Sequence, residues 1–302
     1  MARFTDRHID TWARDGGVLI EHFFSPQEVS AVVADFARVF ERTEGAATPK
    51  IMRGPGEFGK FSTSQFSSFA AIPFIDAPAL NLIGVHPQLI AFAKAALGAP
   101  KVYLYQCQAW AKFTGEADYE QPLHCDFVNH TLTVPSDQAV NGSVTILCYF
   151  TDVSQAHGPM YYVTRPDSQS VAGCEAILNG TEDLQRALQP LERSSAAPAG
   201  SIFPYSIDVY HRGSNLTAPG GKRYAVMACF KASGNDHIGY HSWPYHQTHA
   251  WQDVFARATP EQLECFGVQP PGDPFWTETT LKRAQIRYPD WDLSPYTDAL
   301  DS

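Results

Sequence analysis

The feature that most constrains the fold of this chain is the segment of residues 122–127, in which His124 and Asp126 stand two positions apart. In extended backbone, side chains alternate between two sides, so these two would point the same way. An imidazole and a carboxylate held together form two thirds of a metal site. The best candidate for the third ligand is His211, far along the chain. A fold that satisfies this pattern must place two distant strands side by side.

The residues His124, Asp126 and His211 have the composition of a two-histidine, one-carboxylate facial triad, which holds iron(II) on one side and leaves other coordination positions open. Taken alone, the motif is a weak signal, because a histidine near an aspartate is more often a surface pair or a satisfied core residue. Its context strengthens it. The segment 211–223 begins with His211, continues through a Ser-Asn pair and a Pro-Gly-Gly turn, and ends at Arg223.

Together these motifs resemble the phytanoyl-CoA dioxygenase family of iron(II)- and 2-oxoglutarate-dependent oxygenases, from residues 14–20 to about Arg223. The resemblance implies an enzyme that uses iron(II), 2-oxoglutarate as co-substrate and dioxygen. It assigns His124, Asp126 and His211 as metal ligands and catalytic residues. Relatives that halogenate carry a small residue in place of the aspartate. Asp126 therefore favours hydroxylation, or another oxidation such as desaturation.

The resemblance also assigns Arg223 to the far carboxylate of 2-oxoglutarate. A planar guanidinium binds a carboxylate through two parallel hydrogen bonds, a geometry that Lys222 cannot copy. Thr217 or Ser214 would add a hydroxyl to the same carboxylate. Lys112 would reach the co-substrate, as a lysine on the corresponding strand does in some relatives. The competing interpretation is that Arg223 is a solvated charge at the end of a strand.

The pattern of elements predicts a mainly β fold with flanking helices, in the form of a double-stranded β-helix (jelly roll, cupin-like). A strand is expected over residues 16–24, followed by a helix that begins with the Ser25 cap and Pro26. A second helix is expected over residues 87–97. From Lys101 onward, short strands alternate with turn signals, which favours a jelly roll over a parallel α/β sheet.

The domain organisation follows from length and composition. The chain has 302 residues, which suits one β-sandwich enzyme with flanking helices. We find no internal repeat and no linker, so we expect a single oxygenase domain over residues 1–302. Residues 233–302 are rich in Trp, Tyr, His and Pro, and we expect a loosely structured C-terminal extension with one helix near residues 260–266.

Charge and cysteine usage limit the partners. The net charge of −10 gives no support to a nucleic-acid role, since phosphate binding needs clustered Lys and Arg. No run approaches a membrane span of about 20 apolar residues, so no membrane partner is expected. The cysteines form no Cys-x-x-Cys pair, and several lie in apolar runs, which favours a cytoplasmic location. The oligomeric state is left open.

The expected activity is hydroxylation of a small or medium-sized, largely hydrophobic organic metabolite. The phenylalanine-rich stretch of residues 58–74 is expected to close over the apolar part of this small-molecule substrate, with Tyr103, Tyr161 or Trp243 forming other walls. An acyl-CoA hydroxylase of the phytanoyl-CoA type is one alternative. Others are a zinc-dependent hydrolase that uses the same His/Asp/His set, and an inactive binding protein that keeps the fold.

Overall fold

The computed structural model describes residues 2–41, 69–115, 120–131, 135–173, 181–239 and 250–300. The helices of this part of the chain are α1 (Asp6–Asp15), α2 (Pro26–Phe40), α3 (Pro78–Ile83), α4 (Pro87–Leu97), α5 (Arg165–Ala172), α6 (Glu182–Leu188), α7 (Trp251–Phe255), α8 (Pro260–Cys265), α9 (Glu278–Arg287) and α10 (Ser294–Asp298). The strands are β1 (Phe69–Ala71), β2 (Val102–Phe113), β3 (Ser143–Tyr149), β4 (Met160–Val163), β5 (Arg193–Ser194), β6 (Ile202–Ser206), β7 (Tyr210–Gly213) and β8 (Lys222–Ala232). Helices hold more of these residues than strands do, so sheets flanked by helices describe the chain better than a mainly β class.

The strands form two antiparallel sheets. The larger sheet has the order β1-β2-β8-β3-β6, and the smaller sheet has the order β5-β4-β7. The longest pairing joins β2 and β8, from Val102 opposite Ala232 to Phe113 opposite Lys222. Most strands that are neighbours in a sheet are distant in sequence. The order of the strands therefore brings the site residues together.

The outer face of the larger sheet packs against helices α2, α3 and α4 to form the main core. Alternate residues of β8, such as Val226, Ala228 and Phe230, are fully buried on this face. On the helical side, Phe36 and Leu89 are equally buried. Each large apolar side chain that is removed from water contributes about 1.5–3 kcal/mol, so this layer fixes the sheet firmly.

The inner face of the larger sheet looks toward the smaller sheet. Phe203 on β6 contacts Tyr162 on β4, with ring centroids 4.5 Å apart. Tyr205, two residues later on β6, lies 4.8 Å from the ring of His211 on β7. The space between the two sheets therefore contains His211.

The predicted start of α2 is confirmed. The hydroxyl of Ser25 accepts a hydrogen bond from the backbone N–H of Glu28 at 3.3 Å, and the Glu28 carboxylate accepts one from the N–H of Ser25 at 2.8 Å. Pro26 occupies the first helical position, where its missing N–H costs nothing. The same carboxylate also binds Arg3 and His86, which ties α2 to the N-terminus and to the start of α4.

The predicted strand over residues 16–24 is only partly present. Gly17 and Ile20 form single bridges to Tyr205 and Ile202 of β6, without a continuous ladder. His22 adopts a left-handed conformation with φ of 53°, which interrupts extended backbone before α2. The segment therefore covers the edge of β6 at two points.

The expectation of a loosely structured C-terminal extension is wrong for residues 250–300. Helices α7 to α10 enclose an aromatic cluster that includes Trp251, Trp276, Trp291 and Tyr296, each at most 6% exposed. The predicted helix near residues 260–266 is confirmed as α8. A surface cavity of about 490 Å³ opens within this cluster. The aromatic composition builds a second packed core because the rings contact one another.

One apolar stretch passes for a membrane span by length and hydropathy. Pro78–Leu97 covers α3 and α4, and 61% of its most apolar window is buried inside the structure. Leu89 and Phe92 of this stretch have no exposed surface. The expectation that no run approaches a span overlooked this stretch, whose apolar character serves the main core.

Candidate metal centre

The backbone holds the two predicted histidine ligands side by side. His124 and His211 form an antiparallel bridge, in which the N–H of His124 donates to the carbonyl of His211 at 3.0 Å and the reverse bond is 2.9 Å. Their ring centroids are 4.5 Å apart. The expectation that a distant strand brings the second histidine alongside the first agrees with this arrangement.

Asp126 lies at the start of a turn that the sequence did not predict. It begins a 3-10 helix, Asp126–Asn129, instead of continuing a strand. Buried Phe127 anchors this turn, because its N–H donates to the carbonyl of Ile207 at 3.0 Å. His124 lies in a β-bridge and Cys125 is extended, so the alternation inferred from the sequence holds up to Asp126, where the chain turns.

The three side chains converge closely. An Asp126 oxygen, Oδ2, lies 3.3 Å from His211 Nε2, and the other, Oδ1, lies 3.6 Å from His124 Nε2. One ligand atom from each residue lies within 4.8 Å of the others. His211 is 5% exposed, whereas the side chain of His124 is 36% exposed. The cluster is therefore closed on the His211 side and accessible from the His124 side.

Backbone carbonyls fix the orientation of both rings. His124 Nδ1 lies 2.9 Å from the carbonyl oxygen of Pro122, and His211 Nδ1 lies 3.0 Å from that of Val209. A carbonyl can only accept, so each Nδ1 carries the proton and each Nε2 presents a lone pair. Such carbonyl partners are typical of metal-bound histidines, where they set the tautomer and the ring plane.

The electrostatics of the cluster favour an ionised carboxylate. Burial opposes ionisation of Asp126, but His211 and His124 outweigh it and hold the pKa of this carboxyl well below its usual range. Burial lowers the pKa of His211, yet the Asp126 carboxylate outweighs it and raises that pKa above the ordinary value. The pKa of His124 is lowered by burial and by His211. A buried anion faced by two imidazoles suits a divalent cation.

Arg223 is buried and only partly satisfied. It is 3% exposed, so the alternative of a solvated strand-end charge is wrong. Its Nη1 donates to the carbonyl of Gly158, and its guanidinium carbon lies 4.7 Å from the centre of the Trp110 ring. Its Nε is buried and has no hydrogen-bond partner among the described residues. Burial lowers the pKa of Arg223. A buried donor without an acceptor is rare in folded proteins, and an anion would satisfy it.

The other predicted co-substrate residues lie at different depths. Lys112 stands opposite Arg223 in the β2–β8 ladder, and its Nζ donates to the carbonyl of Ser214 at 2.6 Å. The Ser214 hydroxyl donates to the carbonyl of Pro159 at 2.6 Å. Lys112 and Ser214 are thus joined near Arg223. Thr217 is exposed and lies 3.5 Å from the carbonyl of Ala156. Binding of 2-oxoglutarate by these side chains stays a prediction.

Several substrate-wall residues are placed differently or lie outside the described part. Tyr161 pairs with Arg212 in the β4–β7 ladder, whereas Tyr162 pairs with His211, so Tyr161 lies on the opposite face from His211. Trp243 and residues 58–68 of the phenylalanine-rich stretch are not among the described residues. The closure of that stretch over the substrate stays a prediction.

Sequence reasoning missed two aromatic residues that touch the site. The Tyr205 hydroxyl donates to Asp126 Oδ2 at 3.2 Å, and the face of Trp110 lies against the Arg223 guanidinium. No motif marks either residue. Both occupy inward-facing positions, so only the strand register reveals them.

Both the sequence and the fold of this chain resemble those of known proteins. A sequence model described as phytanoyl-CoA dioxygenase (PhyH) matches residues 12–212, a range that contains the three clustered residues and ends before Arg223. An ectoine dioxygenase from Bordetella parapertussis is 28% identical over 168 residues, which cover 54% of this chain and 50% of that protein. The match thus spans about half the length of this curated relative.

Two solved structures share the fold. EctD from S. alaskensis with 2-oxoglutarate and 5-hydroxyectoine has a TM-score of 0.57 and 16% identity, and the match covers 78% of each chain. The α-ketoglutarate-dependent epimerase SnoN from nogalamycin biosynthesis has a TM-score of 0.55 and 16% identity, with 76% of this chain and 82% of that chain covered. At such identities the similarity extends to the fold alone.

Proposed function

Because the chain belongs to the phytanoyl-CoA dioxygenase family, we propose that it is an iron(II)- and 2-oxoglutarate-dependent dioxygenase. The observation that carries this proposal is the convergence of His124, Asp126 and His211, whose ligand atoms lie within 4.8 Å of one another. Two imidazole nitrogens and one carboxylate oxygen suit iron(II), and three ligands on one side leave positions for co-substrate and dioxygen.

In this proposal the residues of the chain bind the metal and orient its ligands. Carbonyls of Pro122 and Val209 hold the two rings with Nε2 toward the metal position. The Tyr205 hydroxyl holds one oxygen of Asp126 in place. Bound iron(II) and 2-oxoglutarate would supply the oxidising chemistry with dioxygen, releasing succinate and carbon dioxide. The protein itself positions the reactants and limits the access of water.

We assign the far carboxylate of 2-oxoglutarate to Arg223. Support comes from its burial and from the unpartnered Nε, which an anion would satisfy. Lys112 and Ser214 form the neighbouring wall, where their own hydrogen bonds keep the pocket in shape. Thr217 is the weakest member of the set, because it lies exposed.

We also propose that the two facing antiparallel sheets form a double-stranded β-helix within one domain over residues 1–302. The site between the sheets supports this proposal, since jelly rolls place ligands there. The buried free cysteines among the described residues suit a cytoplasmic location.

The proposed reaction is hydroxylation of a small or medium-sized, largely hydrophobic metabolite. The inner sheet face offers apolar side chains such as Leu147 and Met227, which an apolar substrate would contact. Gln106 and Gln108 lie partly exposed on β2 and hydrogen-bond each other at 2.7 Å, so a polar group of the substrate would also find a partner. A free metabolite is preferred over an acyl-CoA ester because the chain has a net charge of −10.

Metal binding and succinate release together test the activity. We expect the purified protein to bind one iron(II) and to release succinate only when 2-oxoglutarate and dioxygen are present. His211→Ala should lose both properties, whereas the surface control His22→Asn should keep them, because asparagine tolerates the left-handed backbone at that position. Hydrolysis with zinc in the absence of 2-oxoglutarate would instead support the hydrolase alternative.

The substrate class needs a separate test. A panel of free acids, terpenoid and aromatic metabolites, ectoine and acyl-CoA esters should be screened for stimulation of succinate release. The proposal expects stimulation by a free, largely apolar metabolite. Stimulation by acyl-CoA esters alone would refute the preference for a free substrate and leave the dioxygenase activity standing.

A further inference from the structure

Two neighbours hold the Arg223 guanidinium in one plane. The Gly158 carbonyl accepts from Nη1, and the face of Trp110 lies 4.7 Å from the guanidinium carbon. Arg223 is 3% exposed and Trp110 is 8% exposed, so water weakens neither contact strongly. The side chain therefore has one preferred orientation before any ligand arrives.

The strand register explains why the ring and the guanidinium meet. Lys112 stands opposite Arg223, and Trp110, two residues earlier on β2, lies on the same face. Trp110 stands opposite Ala225 in the same ladder. Because alanine is small, it leaves room for the guanidinium to cross diagonally to the ring. Diagonal neighbours on a sheet are within reach of long and aromatic side chains.

Gly158 determines which edge of the guanidinium is used. Its φ is +66°, and a Cβ there would lie 2.6 Å from the carbonyl oxygen of Ser214 and 2.8 Å from that of Asn215. Only a glycine can therefore approach the backbone of Ser214 and Asn215 this closely. At this position the Gly158 carbonyl accepts a hydrogen bond from Arg223 Nη1. Nε is buried without a partner among the described residues. The Nε–Nη2 edge is thus the one left for an incoming carboxylate.

We propose that Trp110 is a positioning residue that fixes the Arg223 plane, so that the Nε–Nη2 edge receives the far carboxylate of 2-oxoglutarate in a bidentate contact. This inference rests on the proposed function. The ring supports the guanidinium through a cation–π contact, and its flat face prevents rotation out of the carboxylate plane. Trp110 therefore acts on the co-substrate through Arg223.

The test measures binding of two ligands that differ in the far carboxylate. Protein loaded with manganese(II) is titrated by calorimetry with 2-oxoglutarate and with oxalate, which binds metal but does not reach Arg223. Trp110→Leu should weaken 2-oxoglutarate binding about tenfold and leave oxalate binding unchanged, while Trp110→Phe should stay within about threefold. In turnover assays, Trp110→Leu should raise the KM for 2-oxoglutarate with little change in kcat.

Controls separate a local effect from general destabilisation. Phe113→Leu removes an aromatic ring from the same strand on the opposite face, where Phe113 contacts Tyr224, and should not change either affinity. If Trp110→Leu does not fold, Trp110→Met removes the ring with an unbranched, flexible side chain that adapts to the space left.

The outcomes are distinguishable. Unchanged 2-oxoglutarate affinity in both ring-deleted variants, or an equal loss for oxalate, would overturn the role of Trp110. Arg223→Leu must itself weaken 2-oxoglutarate. If it does not, the assignment of the carboxylate to Arg223 under the proposed function fails, whatever Trp110 does.

Discussion

Removal of a single hydroxyl, in Tyr205→Phe, should weaken metal binding without unfolding the protein. The hydroxyl donates to Asp126 Oδ2 at 3.2 Å inside a nearly closed cluster. Hydrogen bonds to charged groups contribute about 1.5–3 kcal/mol. Because 3.2 Å is long for an O–H···O bond, the lower end applies, which corresponds to roughly a tenfold loss of affinity. Partners of metal ligands show losses of about this size when they are removed.

The phenyl ring that remains should preserve the surroundings. The ring of Tyr205 contacts His211 at 4.8 Å and Phe203 at 5.9 Å, and phenylalanine keeps both contacts. The assay is an anaerobic titration with iron(II), repeated with manganese(II), together with thermal unfolding of the metal-free protein. We expect a dissociation constant about ten times higher, and a fall in unfolding temperature no larger than the loss of one buried hydrogen bond produces.

Tyr149→Phe is the matched control. Tyr149 is equally buried on the neighbouring strand β3, but its hydroxyl bonds to Ser195 at 2.8 Å and to the N–H of Met160 at 3.2 Å. The Tyr149→Phe variant should lose stability and keep its iron affinity. The reasoning fails if Tyr205→Phe binds iron as tightly as the parent protein, or if Tyr149→Phe weakens iron binding to the same degree.

Three further changes have defined outcomes. Arg223→Leu should raise the KM for 2-oxoglutarate about 30-fold or more while iron(II) titrations stay unchanged, because one partner of a buried charge pair is lost. Burial alone would raise the pKa of Glu28, but bonds from Arg3 and Ser25 lower it to about 2, so its contribution to stability is complete above pH 4.5 and disappears as the pH falls toward 2. Glu28→Gln should therefore cost about 1–2 kcal/mol at pH 7 in urea unfolding, after allowance for partial exposure, and nothing near pH 2. Phe36→Ala should cost about 3–5 kcal/mol in the same assay, since the ring is fully buried and stacked on Tyr224 at 4.7 Å.

The sequence identifies the three residues of the candidate metal site better than it identifies their surroundings. His124, Asp126 and His211 are recognisable because their residue types and spacing carry the chemistry. The 3-10 turn that begins at Asp126 and is anchored by Phe127 was nevertheless not predicted. Alternation along a strand cannot anticipate such a turn. It depends on a bond to Ile207, which is distant in sequence.

The helices and the aromatic contacts also differ in how well the sequence predicts them. The Ser25 cap is a local signal, so α2 could be predicted almost to the residue. The contacts of Trp110 and Tyr205 depend on which strands become neighbours, and that order is not encoded in any local pattern. In the C-terminal region, the aromatic composition was visible, but the packing of Trp276 between Trp291 and Tyr296 was not.

The pair of main-chain bonds between His124 and His211 has a consequence for how the protein matures. Those bonds, at 3.0 and 2.9 Å, join the two candidate ligand segments through main-chain atoms alone. In zinc fingers, by contrast, metal binding supplies the folding energy itself. We expect this chain to fold first and to load its metal afterwards, so a chelator should strip the ion and barely shift the unfolding temperature. In that case the availability of metals in the cell would determine which ion binds to the folded site, since divalent metals compete for such a donor set in a fixed order of affinity.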